Sequence, residues 1–138
     1  MLRDDYIGRM IRQLGEFLAR ISGLAAKQDY LGAFDEVGRA WTDLLDVPRE
    51  LVEVLDGPTL ARMLGDPAKM RAGGELLAEE ARLHTAKGDL VHAMQCSKRA
   101  FELFLEARAL DPQASDDAAI LELGRVIPPN EIDPRYKR

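Results

Sequence analysis

With 138 residues, 46% of them hydrophobic and 31% charged, the chain can enclose one real core and bury roughly two thirds of its unfolded surface. A formal charge of −5 denies it the positive field that nonspecific nucleic-acid binding needs, and its single cysteine, Cys96, excludes an intrachain disulfide. No apolar run reaches about eighteen residues, and Arg9, Arg12, Glu16 and Arg20 interrupt any signal-peptide core, so a soluble cytoplasmic protein is expected.

In chain order, Ile7, Met10, Ile11, Leu14, Phe17, Leu18, Ile21 and Leu24 recur every three or four residues, which predicts a helix over 3–26. Asp29 is placed to cap a second helix, whose stripe is Tyr30, Ala33, Phe34, Val37, Trp41, Leu44 and Leu45. Pro48 interrupts it, and two short helices are expected over 48–55 and 58–65, the second with Pro58 in its first turn. A long helix over 68–87 contains Gly73–Gly74, which could mark a bend. Gly88 closes that helix and Asp89 caps the next, running over 89–110 until Asp111–Pro112. Ser115 or Asp116 can cap a last helix over 116–125, and Pro128–Pro129 and Asp133–Pro134 argue for an irregular tail over 127–138. No segment reads as a strand. The expectation is an all-α domain over 1–126, with hairpins at 3–45 and 68–111 linked by short helices.

Residues 26–41, AKQDYLGAFDEVGRAW, and 86–101, AKGDLVHAMQCSKRAF, lie sixty positions apart and share Ala, Lys, Asp, Ala, Arg and Ala at equivalent places. Each window holds a helix end, a tight turn and the front of another helix. The repetition predicts two antiparallel helix pairs that stack. Gly88–Asp89, followed by Ala93, Ala100 and Leu110–Asp111–Pro112, resembles a tetratricopeptide repeat, in which a glycine–aspartate turn precedes spaced small residues and a proline ends the unit. The likeness covers about 77–112 and, more faintly, 17–44. The helix after the turn is longer than in that family by about two turns, and Leu77, Glu80 and Ala81 stand where its aromatic–leucine–glycine pattern belongs. Stacked helical hairpins make concave surfaces, and such surfaces commonly bind peptides or helices. Asp5-Tyr6-Ile7, Arg9-Met10-Ile11, Gln13-Leu14, Asp29-Tyr30 and Ala33 also resemble a small bacterial family of helical proteins without an assigned function, which brings no catalytic residues.

The chemistry-bearing residues are few. His92 and Cys96 are four apart on one helix and His84 precedes them across the turn; zinc accepts these ligand types. The simpler reading puts His84 in place of a core aromatic, leaves His92 facing partly out, and makes Cys96 a small packing residue about two turns from an activating helix N-terminus. Glu75, Glu79 and Glu80, opposite Glu102 and Glu106, lack the Glu-x-x-His spacing of a di-metal bundle and are read as a solvated face. HExxH, GxxxxGK[ST], GxSxG and Rossmann glycine patterns do not occur.

No catalytic, cofactor-binding or metal residues are therefore expected. The expected function is a non-catalytic interaction or adaptor module that binds a peptide or helix of a partner protein. A self-assembling structural protein, dimeric through the first helix, and a small-molecule or metal-binding regulator are the alternatives. Neither nucleic acid nor membrane is expected as a partner. Tyr6, Tyr30, Trp41, Arg39, Arg99 and Tyr136 are the candidate interaction residues, although Trp41 also reads as a core residue and Tyr136 lies in the tail.

Overall fold

The three-to-four-residue apolar spacing is realised as helix throughout. The computed structural model describes residues 2–137 and contains α1 (Leu2–Ala26), α2 (Tyr30–Leu45), α3 (Arg49–Val54), α4 (Gly57–Leu64), α5 (Pro67–Ala86), α6 (Leu90–Leu110) and α7 (Ala114–Gly124). Two 3-10 turns follow at Pro129–Glu131 and Pro134–Tyr136. Among the described residues there is no strand, and no helix is long and apolar enough to cross a membrane. The chain divides after Val54 into two compact units, Met1–Val54 and Leu55–Arg138.

In the first unit α1 packs on α2. Met10, Leu14, Phe17 and Ile21 form the buried face of α1, and Ala33, Val37, Ala40, Trp41, Leu44 and Leu45 that of α2. Arg20 reaches across to Glu36, with Nε 3.1 Å from Oε2. Asp46, at φ 56°, ends α2 in the left-handed region, and Val47 N–H returns to Trp41 C=O at 3.2 Å. Trp41 is completely enclosed, as its core reading requires.

The repeated windows fold alike down to single hydrogen bonds. After α1, Gln28 N–H donates to Ala25 C=O at 2.9 Å and Asp29 N–H to Leu24 C=O at 2.9 Å. After α5, Gly88 N–H donates to Thr85 C=O at 3.0 Å and Asp89 N–H to His84 C=O at 2.8 Å. Both are Schellman turns, which need a left-handed residue: Gln28 has φ 61° and Gly88 has φ 84°. The following aspartate then caps the next helix. Asp29 Oδ1 accepts from Gly32 N–H at 2.9 Å, and Asp89 Oδ1 from His92 N–H at 3.2 Å.

In the second unit α5 and α6 form the largest helix contact, with α4 and α7 packed on α6. Asp56 and Asp66 cap α4 and α5, each of which has a proline in its first turn. Gly73–Gly74 makes no break, since α5 runs through it. A Cβ at Gly74 would lie 2.6 Å from Phe104 Cε2 and 2.9 Å from Cδ2, so that glycine serves helix approach. The start of α4 meets α6 as closely: a Cβ at Gly57 would lie 2.9 Å from Glu102 Cβ.

The last helix begins at Ala114, earlier than the expected 116, because Asp116 is its third residue and not its cap. One carboxylate does two jobs there. Oδ2 accepts Gln113 N–H at 3.1 Å, while Arg71 grips both oxygens, Nε to Oδ1 at 2.8 Å and Nη2 to Oδ2 at 2.9 Å. Arg71 Nη2 also donates to Asp111 C=O. In the tail Ile127 is buried, and Tyr136 donates its phenol hydrogen to Glu106 Oε2 at 2.7 Å, which ties the segment to the second unit.

Three stability effects are expected in urea denaturation. Gln28→Gly relieves a side chain held at positive φ and should stabilise by about 0.5–1 kcal/mol, whereas loss of stability would deny the left-handed turn. Gly74→Ala should cost about 1–3 kcal/mol despite alanine's better helix propensity, because the methyl meets the Phe104 ring; equal or higher stability would contradict the close approach. Asp116→Asn should cost about 2–3 kcal/mol at neutral pH by removing the closest charge partner of Arg71, which keeps a longer pair with Asp111 at 3.8 Å. Arg71 holds the Asp116 carboxyl below the ordinary aspartate value of 3.8. Its contribution is therefore complete above that value and is lost as pH falls through the lower native one, so wild type and variant should converge in acid.

Candidate interaction groove and a buried Glu-His-Cys cluster

The seam between α5 and α6 has different chemistry at two places near the Gly88 turn. One is an open groove of about 600 Å³ within the second unit. Ala78, Ala81 and Thr85 supply a stripe of α5 at helical spacing, and Leu90, Ala93, Met94 and Ser97 supply one of α6. Leu123 near the end of α7 and Val126 just beyond it complete the lining. Short side chains on α5 leave room above the seam, and Met94 is a flexible, polarisable wall. Leu90 and Val126 are 66% and 60% exposed, so this apolar lining is open to solvent. Arg82 and Glu122 are its charged members. The arrangement offers apolar contact with little polar steering.

The other place is polar and enclosed. Glu80 and His84, one helical turn apart on α5, meet Cys96 of α6. Glu80 Oε2 lies 3.3 Å from His84 Nε2 and 3.4 Å from Cys96 Sγ. One donor atom from each of the three lies within 4.8 Å of the others. Glu80 and Cys96 are buried and His84 is half-buried. His92 does not join the trio; its exposed ring stacks on His84 with centroids 5.3 Å apart, and Asp89 Oδ2 holds its Nδ1 at 2.6 Å. His92 N–H and side chain also lower the Asp89 carboxyl below its usual range.

This corrects the solvated-face reading for Glu80 and Glu102, which are 5% and 4% exposed, whereas Glu75 is exposed and Glu79 and Glu106 are half-buried. Glu80 occupies the α5 face that carries Leu76 and Leu77 towards α6, a face the apolar stripe alone marked out. Glu102 is desolvated, which raises its carboxyl above the usual range, while Arg99 opposes that shift.

The six candidate interaction residues are scattered in character. Tyr6 is 43% exposed on α1, and Tyr30 is half-buried at the start of α2. Trp41, being enclosed, offers no surface. Arg39 is exposed and pairs with Glu36, Nη1 to Oε1 at 3.0 Å. Arg99 is half-buried against Glu102. Tyr136 is committed to Glu106; burial first, then that carboxylate, push its phenol far above the usual tyrosine range. Arg99 and Tyr136, the two in the second unit, do not line the groove. The residues that do line it carried no individual signal, because alanines at helical spacing look like ordinary packing. Their only sequence mark was two small-residue stripes flanking one turn.

Comparison of the chain with known family models, curated proteins and solved structures finds no match.

Proposed function

We propose that the protein is a non-catalytic helical interaction module of tetratricopeptide-like, antiparallel hairpins, working in the cytoplasm, and that its groove receives an apolar helix of a partner protein. The observation that carries this reading is the open groove of about 600 Å³ with exposed apolar walls. The antiparallel sense is supported by contacts placed symmetrically about each turn: Arg20 with Glu36 about residue 28, and Glu80 with Cys96 about residue 88. A trough between two helices suits an occupant that presents apolar residues at i, i+3, i+4 and i+7. Met94 adapts to its side chains.

A photo-reactive amino acid placed at Leu90 or Val126, both exposed, tests the reading in extract of the source cells. Cross-linked peptides should map to an amphipathic segment of a different protein. Met94→Glu should weaken binding of that segment, made as a synthetic peptide, by roughly 30-fold, the scale of one interface hot spot. Adducts only to a second copy of the chain would favour the self-assembling protein instead. Adducts to no defined segment would overturn the groove assignment.

A further inference from the structure

We propose that Glu80, His84 and Cys96 form a binding site for one zinc-class divalent ion, with water completing a tetrahedron. The inference is independent of what occupies the groove. Bonds of about 2.0–2.2 Å to oxygen and nitrogen and about 2.3 Å to sulfur put the corners of a zinc tetrahedron roughly 3.3–3.6 Å apart. Glu80 Oε2 stands at 3.3 Å from His84 Nε2 and 3.4 Å from Cys96 Sγ, so two edges have that length before any ion enters. The three donors lie within 4.8 Å of one another, and a modest side-chain rotation closes the third edge.

The donor types select the ion. A thiolate and an imidazole beside one carboxylate suit zinc, and disfavour calcium and magnesium, which take oxygen ligands. Carboxylate and thiolate together neutralise a divalent charge in a buried place, where an ionised carboxylate needs strong partners. The helices set the donors firmly: Glu80 and His84 share one face of α5 at i, i+4, and Cys96 projects from α6 across a seam fixed by the Gly88 turn. Outside the trio, the His92 ring covers His84, and Asp89 fixes His92 in turn, a supporting layer of the kind that orients metal-bound histidines. Binding displaces the Cys96 thiol proton and forms a metal–sulfur bond, so affinity must rise with pH.

The test is cobalt titration of the full chain, purified with reductant and stripped of metal by chelator. One equivalent should produce the visible bands of tetrahedral cobalt and a near-ultraviolet sulfur-to-cobalt charge-transfer band, both erased by equimolar zinc. Cys96→Ser should remove the charge-transfer band. Glu80→Gln should keep it but weaken cobalt binding at least about 10-fold. X-ray absorption of the zinc-loaded wild-type chain needs no variant to fold; it should find one sulfur near about 2.3 Å among lighter ligands. A wild-type titration without the charge-transfer band would overturn the site, leaving the trio a metal-free hydrogen-bond cluster. A zinc shell of nitrogen and oxygen alone would overturn it equally, by placing the ion elsewhere.

Discussion

The distance between α5 and α6 governs the second unit. Gly74 lets the Phe104 ring lie against the α5 backbone, and Ala81, Ala93 and Ala100 keep the rest of the seam narrow. Interiors pack too densely to absorb an added methyl there without displacement. The Glu80–Cys96 contact and the groove both follow from that closeness. Only a tight seam brings Cys96 of α6 within 3.4 Å of a carboxylate on α5. Along the same seam the short side chains of Ala78, Ala81 and Thr85 on α5 leave the groove open, with Arg82 as its one long α5 member.

The two turns give the chain its internal echo. A left-handed residue closes one helix and an aspartate opens the next, at 28–29 and again at 88–89. Local rules suffice for this: two Schellman hydrogen bonds satisfy carbonyls at the end of the first helix, and one carboxylate satisfies an amide at the start of the second. The copies differ where physics leaves latitude. Gln28 accepts a conformation that Gly88 adopts freely.

Much of the helical layout was legible because period, proline and capping aspartate all point the same way. Helix ends shift by no more than two residues from their expected places. Trp41 was legible as core because it continues the stripe of α2. What remained hidden depends on partners distant in sequence. Nothing near Asp116 reveals that Arg71, 45 residues earlier, will take it. Glu80 reads as solvated because charge ordinarily means exposure, yet its register puts it on the seam. Gly73–Gly74 reads as weakness in α5 until the Phe104 ring is seen against it. The tail reads as irregular from its prolines, while one phenol hydrogen bond commits it to α6.

The groove's sides differ in compliance. α5 and α6 form a stiff jaw, locked by dense apolar packing along their length. α7 is a softer jaw: Asp116 is its one fully buried residue, held by a guanidinium at the end remote from Leu123. A helix docked there as proposed would meet fixed bulk along α5 and α6 and a less deeply anchored wall at α7.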